Sequence, residues 1–324
     1  MNVLCVNVDA RFNLAMRKVY NYHLQKGDNV RLMNCGYDAY KKHGEIVING
    51  KPYDKVYVSN IFDNNSNVKV AGSDNVVYGG VGSCNPLSVL PPEIENMQPY
   101  YFEDETVSYG FMTRGCVRNC YFCKVPKTEG KIRFVCHPSK ICVKEKTVFY
   151  DNNILGYSNH YDLLQWLSDH KVKCQFNQGL DFRLTNEENL SILSSIPLFG
   201  DIIFAFDNLS YQPMIDSKSP LIFEYFNKPW RTKWYLYVNP KDPLESIVKR
   251  VNWCYEHKAL PYVMRDRAID NMNQDIRNFY TDVSAWCNQP SLFKTKSFED
   301  FLEIRHTNKE RIKSTLNLWN HPKP

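Results

Sequence analysis

The sequence predicts an α/β protein built from a small α/β unit, six successive strand-and-helix repeats and a polar helical extension. Three observations carry this. Apolar runs of strand length alternate with stretches in which apolar residues recur every three and four positions. From Thr106 onward this alternation becomes regular, which favours a parallel sheet. The chain of 324 residues, 43% hydrophobic and 14% aromatic, is also long and apolar enough to bury a large core.

The first unit, residues 1–98 with its linker, reads as strand, helix, strand, strand over 3–8, 13–25, 30–33 and 55–61. Gly79, Gly80 and Gly82 follow, and tight turns account for them without any phosphate. The core, residues 99–267, has predicted strands at 107–112, 147–151, 173–177, 202–207, 234–238 and 262–265. Helical periodicity falls at 160–170, 186–195 and 243–257. Six such units are too few to close an eight-stranded barrel. In βα architectures ligands sit at the carboxyl ends of the strands, so function is sought there. Residues 268–324 are mixed and polar, with Trp286, Phe293, Phe298, Phe301 and Trp319 as apolar anchors of a short helical extension.

Composition narrows the function classes. The longest apolar runs, such as 202–206, are strand length and far short of a membrane span, so no membrane partner is expected. The first residues lack the basic flank and apolar stretch of a signal peptide, and a cytoplasmic location is expected. Eleven cysteines, mostly scattered singly, are not a secreted disulfide framework; most read as small buried hydrophobes in a reducing compartment. The formal charge is only +5, yet residues 113–146 hold nine Lys or Arg against Glu129 and Glu145. This local field suits an anionic substrate or an acidic electron donor, and equally a solvated loop; nucleic-acid binding does not follow from it.

The segment of greatest chemical interest is Gly115-Cys116-Val117-Arg118-Asn119-Cys120-Tyr121-Phe122-Cys123. Three thiols in CxxxCxxC spacing can converge on one metal centre and leave a coordination position open. Iron-sulfur clusters ordinarily take four cysteine ligands, so a trio implies an iron left for a substrate or cofactor. The competing reading is a zinc knot with a distant fourth ligand. The predicted first core strand runs directly into this loop, placing Cys116, Cys120 and Cys123 at the carboxyl end of the sheet. Two further strand ends are polar: Asp151-Asn152-Asn153, and a stretch carrying Asn177, Gln178, Asp181 and Arg183. The first is a turn or cap on the usual preference of Asn and Asp for local hydrogen bonds. The second needs a network or a ligand to satisfy it, and an Asp181–Arg183 ion pair is the simplest network.

The CxxxCxxC pattern, with Phe122 before the third cysteine and Val125-Pro126 after it, resembles the signature loop of the radical S-adenosylmethionine (SAM) enzymes. The resemblance implies a partial (β/α)6 TIM-type barrel preceded by a small Rossmann-like domain. It implies a 4Fe-4S cluster on Cys116, Cys120 and Cys123 whose remaining iron is chelated by SAM, and a reductase such as flavodoxin or ferredoxin as partner. It also implies that Phe122 covers the cluster or touches adenine, and that Asp151 and Asn152 stand where the family presents a Gly-Gly-Glu-like element to the SAM ammonium, here without the glycines. By the same resemblance Asn177 or Gln178 hold ribose hydroxyls, with Asp181 beside them, and Arg183 pairs with a carboxylate of SAM or substrate. The first unit resembles a shortened cobalamin-binding-type domain. The Asp-x-His-x-x-Gly element is absent and His23 and His43 stand in no such context, so cobalamin is not expected.

Two other functions remain open. A methylthiotransferase-like enzyme would need a second cluster on Cys5, Cys35 and Cys84, although their spacing differs from that family's and no C-terminal RNA-binding β-barrel pattern is visible. A non-catalytic zinc or iron-sulfur nucleic-acid-binding module would hold metal without turnover. Nothing in the sequence names the substrate.

Overall fold

The structure is a computed structural model that describes residues 1–8, 12–35, 45–47, 53–61, 69–83, 85 and 88–322. The chain divides into two compact units, residues 1–108 with 120–130 and residues 109–119 with 131–324. Cys84 and His43 lie outside the described residues.

The first unit contains β1 (Asn2–Val8), α1 (Leu14–Gln25), β2 (Asn29–Cys35), β3 (Glu45–Val47), β4 (Lys55–Asn60), β5 (Lys69–Ala71) and β6 (Val76–Gly79). Four strands form a parallel sheet in the order β2-β1-β4-β6, and β3 pairs with β5 separately. β1 reads as an almost continuous apolar run because both its faces are covered. Val3 and Cys5 face Met16 and Val19 of α1, while Leu4, Val6 and Val8 pack with Val56 and Val58 on the other side. α1 begins where the Asn13 side chain accepts the Met16 N–H at 3.2 Å, an ordinary N-cap. The short strands β3, β5 and β6 were not expected, since runs of three or four residues fall below any periodic signal. Gly80 is required where it stands: its φ is +92°, and a Cβ there would overlap the carbonyl oxygen of Asn60.

β7 (Val107–Gly110) spans the division at residue 108, and the second unit carries β8 (Thr113–Arg114), β9 (Arg133–Phe134), β10 (Lys146–Phe149), β11 (Cys174–Phe176), β12 (Ile202–Ala205), β13 (Thr232–Val238) and β14 (Leu260–Arg265). Strands β7, β10 and β11 are consecutive neighbours in one sheet, and β12, β13 and β14 in another. The pairs β10/β11, β12/β13 and β13/β14 are parallel. Parallel bridges Cys174↔Leu198 and Leu180↔Phe204 tie the two sheets together. The strands therefore follow one another in chain order, and among the described residues no pairing closes them into a barrel. All six predicted core strands are present. The fold is α/β with parallel sheets.

Helices α2 (His160–Asp169), α3 (Glu187–Ser195), α4 (Gln212–Tyr225) and α5 (Leu244–Glu256) connect the strands. Three match the expected periodicity; α4 does not, because Pro213 and Pro220 read as breakers although the helix carries Pro220 inside it. The extension folds as α6 (Gln274–Cys287), α7 (Pro290–Thr295), α8 (Phe298–Arg305) and α9 (Lys309–Asn320). Its Phe279, Val283, Trp286 and Phe298 belong to the same buried cluster as Trp234, Leu236 and Trp253, so the extension shares the core of this unit. Among the described residues no helix is long and apolar enough to cross a membrane.

Candidate functional site

The cysteine segment leaves the second unit from a two-stranded base. β8 pairs antiparallel with β9 through Thr113↔Phe134 and Arg114↔Arg133, an arrangement the sequence did not announce. Gly115, with φ +84°, then turns the chain in a conformation that suits glycine. The backbone just before the turn is gripped by Asp151 at the exit of β10. Its carboxylate accepts the Met112 N–H at 3.1 Å, the Thr113 N–H at 2.6 Å and the Thr113 hydroxyl at 2.7 Å. Burial, the largest influence, pushes the Asp151 carboxyl up to about 6 against these hydrogen bonds. Both oxygens of Asp151 are engaged in holding the entry to the loop.

Two further contacts fix Cys116 and the residues after it. Val117 lies against Gly156, where an added Cβ would come within 2.9 Å of a Val117 methyl. Arg118 reaches from the loop to Asp181, Nε to Oδ2 at 2.7 Å, across 63 residues of sequence. Asp181 also accepts Arg183 Nε at 2.6 Å and Nη2 at 3.2 Å, so the expected Asp181–Arg183 pair is present and Arg118 completes a two-arginine clamp. Burial alone drives the Asp181 carboxyl upward. The hydrogen bonds and charges of Arg183 and Arg118 outweigh burial and hold the group below the usual carboxylate range.

Asn153, 4% exposed, joins these parts: its Nδ2 lies 3.5 Å from Cys116 Sγ and 3.4 Å from Asp181 Oδ2. Cys116 Sγ also accepts the Arg118 backbone N–H at 3.3 Å. Sequence reasoning counted Arg118 only as charge and Asn153 only as one of three polar residues in a row, because contacts across tens of residues leave no local pattern.

The other expected residues are placed less centrally. Asn177 is partly buried and its carbonyl accepts the Tyr235 hydroxyl at 3.0 Å, while Gln178 is exposed. Asn152 is partly buried. Cys120 and Cys123, with Phe122 between them, are grouped with the first unit; the Cys123 N–H donates to the Cys120 carbonyl at 3.0 Å, and Phe122 meets Tyr121 edge-on at 5.3 Å. The three cysteines are part-exposed thiols outside any disulfide. Among the described residues, no three or more His, Cys, Asp or Glu side chains converge as a metal-binding group. In chemistry the donors nevertheless fit an iron-sulfur cluster: they are thiols, and Cys116 Sγ is an acceptor for two N–H groups.

At later strand exits, Asn239 and Asp266 act as caps, accepting the Lys241 and Ala268 backbone N–H groups, each at 2.8 Å. Asp207 accepts the Tyr237 N–H at 3.2 Å, and its carboxyl is pushed up to about 6 chiefly by burial. Asp181 is thus held ionised while Asp207, one strand on, holds its proton to higher pH. A hollow of about 420 Å³ beside Ile196, Tyr225 and Arg231 lies at the opposite, amino ends of β12 and β13 and touches none of the candidate site residues.

In the first unit, Cys5 and Cys35 belong to clusters on opposite faces of the sheet, and burial pushes the Cys5 thiol up to about 12. His23 has both ring nitrogens engaged, Nδ1 with Asp28 at 2.7 Å and Nε2 with the Tyr57 hydroxyl at 3.1 Å.

No protein-family model matches the chain, and no curated protein matches it either.

Proposed function

We propose that the chain is a radical SAM enzyme whose second unit is a partial (β/α)6 barrel. The observation that carries this is the CxxxCxxC segment emerging from β8, after β7 and ahead of β10 to β14, strands whose sheet neighbours follow chain order. Cys116, Cys120 and Cys123 would hold a 4Fe-4S cluster, which with SAM supplies a 5′-deoxyadenosyl radical. Phe122, Asn152, Asn177 and Gln178 would face the cofactor. Asp151 supports the loop rather than touching SAM, since both its oxygens hold Met112 and Thr113. Asp181 and Arg183 present the strand exit beside Cys116. The basic segment 113–146 fits an anionic substrate and an acidic electron donor such as flavodoxin or ferredoxin, and the setting is cytoplasmic. The acceptor carbon is unassigned.

The test is anaerobic reconstitution with iron and sulfide, followed by a SAM cleavage assay with a reductant. Brown protein that releases 5′-deoxyadenosine, and loses both colour and activity in Cys120→Ala, is the expected result. A colourless protein that retains stoichiometric zinc would overturn the assignment in favour of a binding module.

A further inference from the structure

Asn153 is not part of the CxxxCxxC motif, yet it touches both halves of the candidate site in the second unit. It is 4% exposed and directs Nδ2 toward Cys116 Sγ at 3.5 Å and Asp181 Oδ2 at 3.4 Å, while its buried Oδ1 meets no hydrogen-bond donor among the described residues. An asparagine serving stability alone would have both ends satisfied. Here the donor is committed to a sulfur and a carboxylate, and the acceptor is left unmet.

Given the cluster assignment proposed above, we propose that Asn153 is a positioning residue that sets the reduction potential of the cluster through its N–H···S contact with Cys116. Hydrogen bonds to ligand sulfurs stabilise the reduced, more negatively charged state of an iron-sulfur centre and raise its potential. Cys116 Sγ receives two such donors, one from the Arg118 backbone and one from Asn153. Of the two, the side-chain donor is removable without changing the backbone. The same amide is tied to Asp181, which Arg118 and Arg183 clamp, so the sulfur's donor is itself held in place. The arrangement couples the potential to an ion-pair network that lies outside the three cysteines.

The experiment is an EPR-monitored redox titration of the reconstituted full chain, comparing wild type with Asn153→Leu, which keeps the branched shape and removes the donor. Iron content, the far-UV spectrum and the unfolding midpoint are measured alongside. The expected result is unchanged iron content with a more negative midpoint potential and altered g-values in the variant. An unchanged potential in a fully loaded variant overturns the role of Asn153 and leaves the cluster assignment standing. Failure of the wild type itself to take up iron overturns both. Should Asn153→Leu not fold, Asn153→Ala is read by the same criteria.

Discussion

Asp151 illustrates how one buried carboxylate serves a loop it does not belong to. Its three donors come from the adjacent residues Met112 and Thr113, 39 and 38 positions earlier in the chain, so the exit of β10 fixes the point at which the chain enters the cysteine segment. Burial raises this carboxyl from 3.8 to about 6, which means that the folded state binds the proton more tightly than the unfolded chain does. The stability contributed by protonated Asp151 is therefore fully present below about pH 4, and is lost as the pH rises to about 6. Asp151→Asn abolishes the titration while turning an N–H donor against Met112 or Thr113, so it destabilises at every pH. The penalty is expected to be larger at pH 4 than at pH 7 by about 2–3 kcal/mol, since each tenfold gain in proton affinity on folding is worth roughly 1.4 kcal/mol. Urea unfolding of both proteins at the two pH values measures it. A penalty that does not change with pH would show that Asp151 is not protonated in the fold.

The cysteine-bearing segment as an element is held by the β8/β9 ribbon, by Val117 on Gly156 and by the Arg118–Asp181 pair. Of these the ion pair is the longest in sequence reach. Asp181 is 5% exposed and Arg118 33%, so the pair is partly shielded from solvent and exceeds the usual worth of a surface bridge. A double-mutant cycle with Arg118→Ala and Asp181→Asn is expected to give a coupling of about 1–2 kcal/mol in urea unfolding. Arg118→Ala alone should also speed tryptic cleavage after Lys124 and Lys127. Additive penalties with unchanged cleavage would mean that the loop is held elsewhere. Only the local part of this setting is legible in the sequence. Strands such as β12 and β13 announced themselves because a strand's apolar content is local, as in the alternately buried Thr232, Trp234, Leu236 and Val238. The polar strand ends at Asp151 and Asp181 were equally visible. Their partners were not, since Met112, Thr113 and Arg118 meet them only through the fold. The ribbon of two-residue strands and the proline-bearing α4 escaped for different reasons, one too short to show a period and the other carrying a residue that ordinarily ends a helix.

At the scale of the whole molecule, the sequence suggested that residues 268–324 form an extension of the core, and the packing gives that extension an energetic role. Trp286 lies 4.8 Å from Phe293, 5.2 Å from Phe298 and 5.8 Å from Trp319 between ring centroids, and all but Trp319 are buried. Asp282 of α6, 0% exposed, accepts hydrogen bonds from Arg305 at 3.1 Å, His306 at 2.9 Å and Arg311 at 3.0 Å, tying α6 to α8 and α9. Removing a buried Phe or Trp side chain costs about 3–5 kcal/mol, whereas a domain's net stability is about 5–15 kcal/mol. Loss of Phe279, Trp286, Phe293 and Phe298 together, about 12–20 kcal/mol if the four add, is comparable to or larger than that whole net stability. A chain ending at residue 267 should lack a cooperative urea transition and native near-UV circular dichroism, while the full chain shows both. The opposite result, a 1–267 fragment with the near-UV signal of the full chain, would mean that the helices decorate a core complete without them. The single buried cluster that holds Trp234 and Trp253 together with Trp286 and Phe298 argues for the first outcome, because removing the helices exposes the part of that cluster they cover.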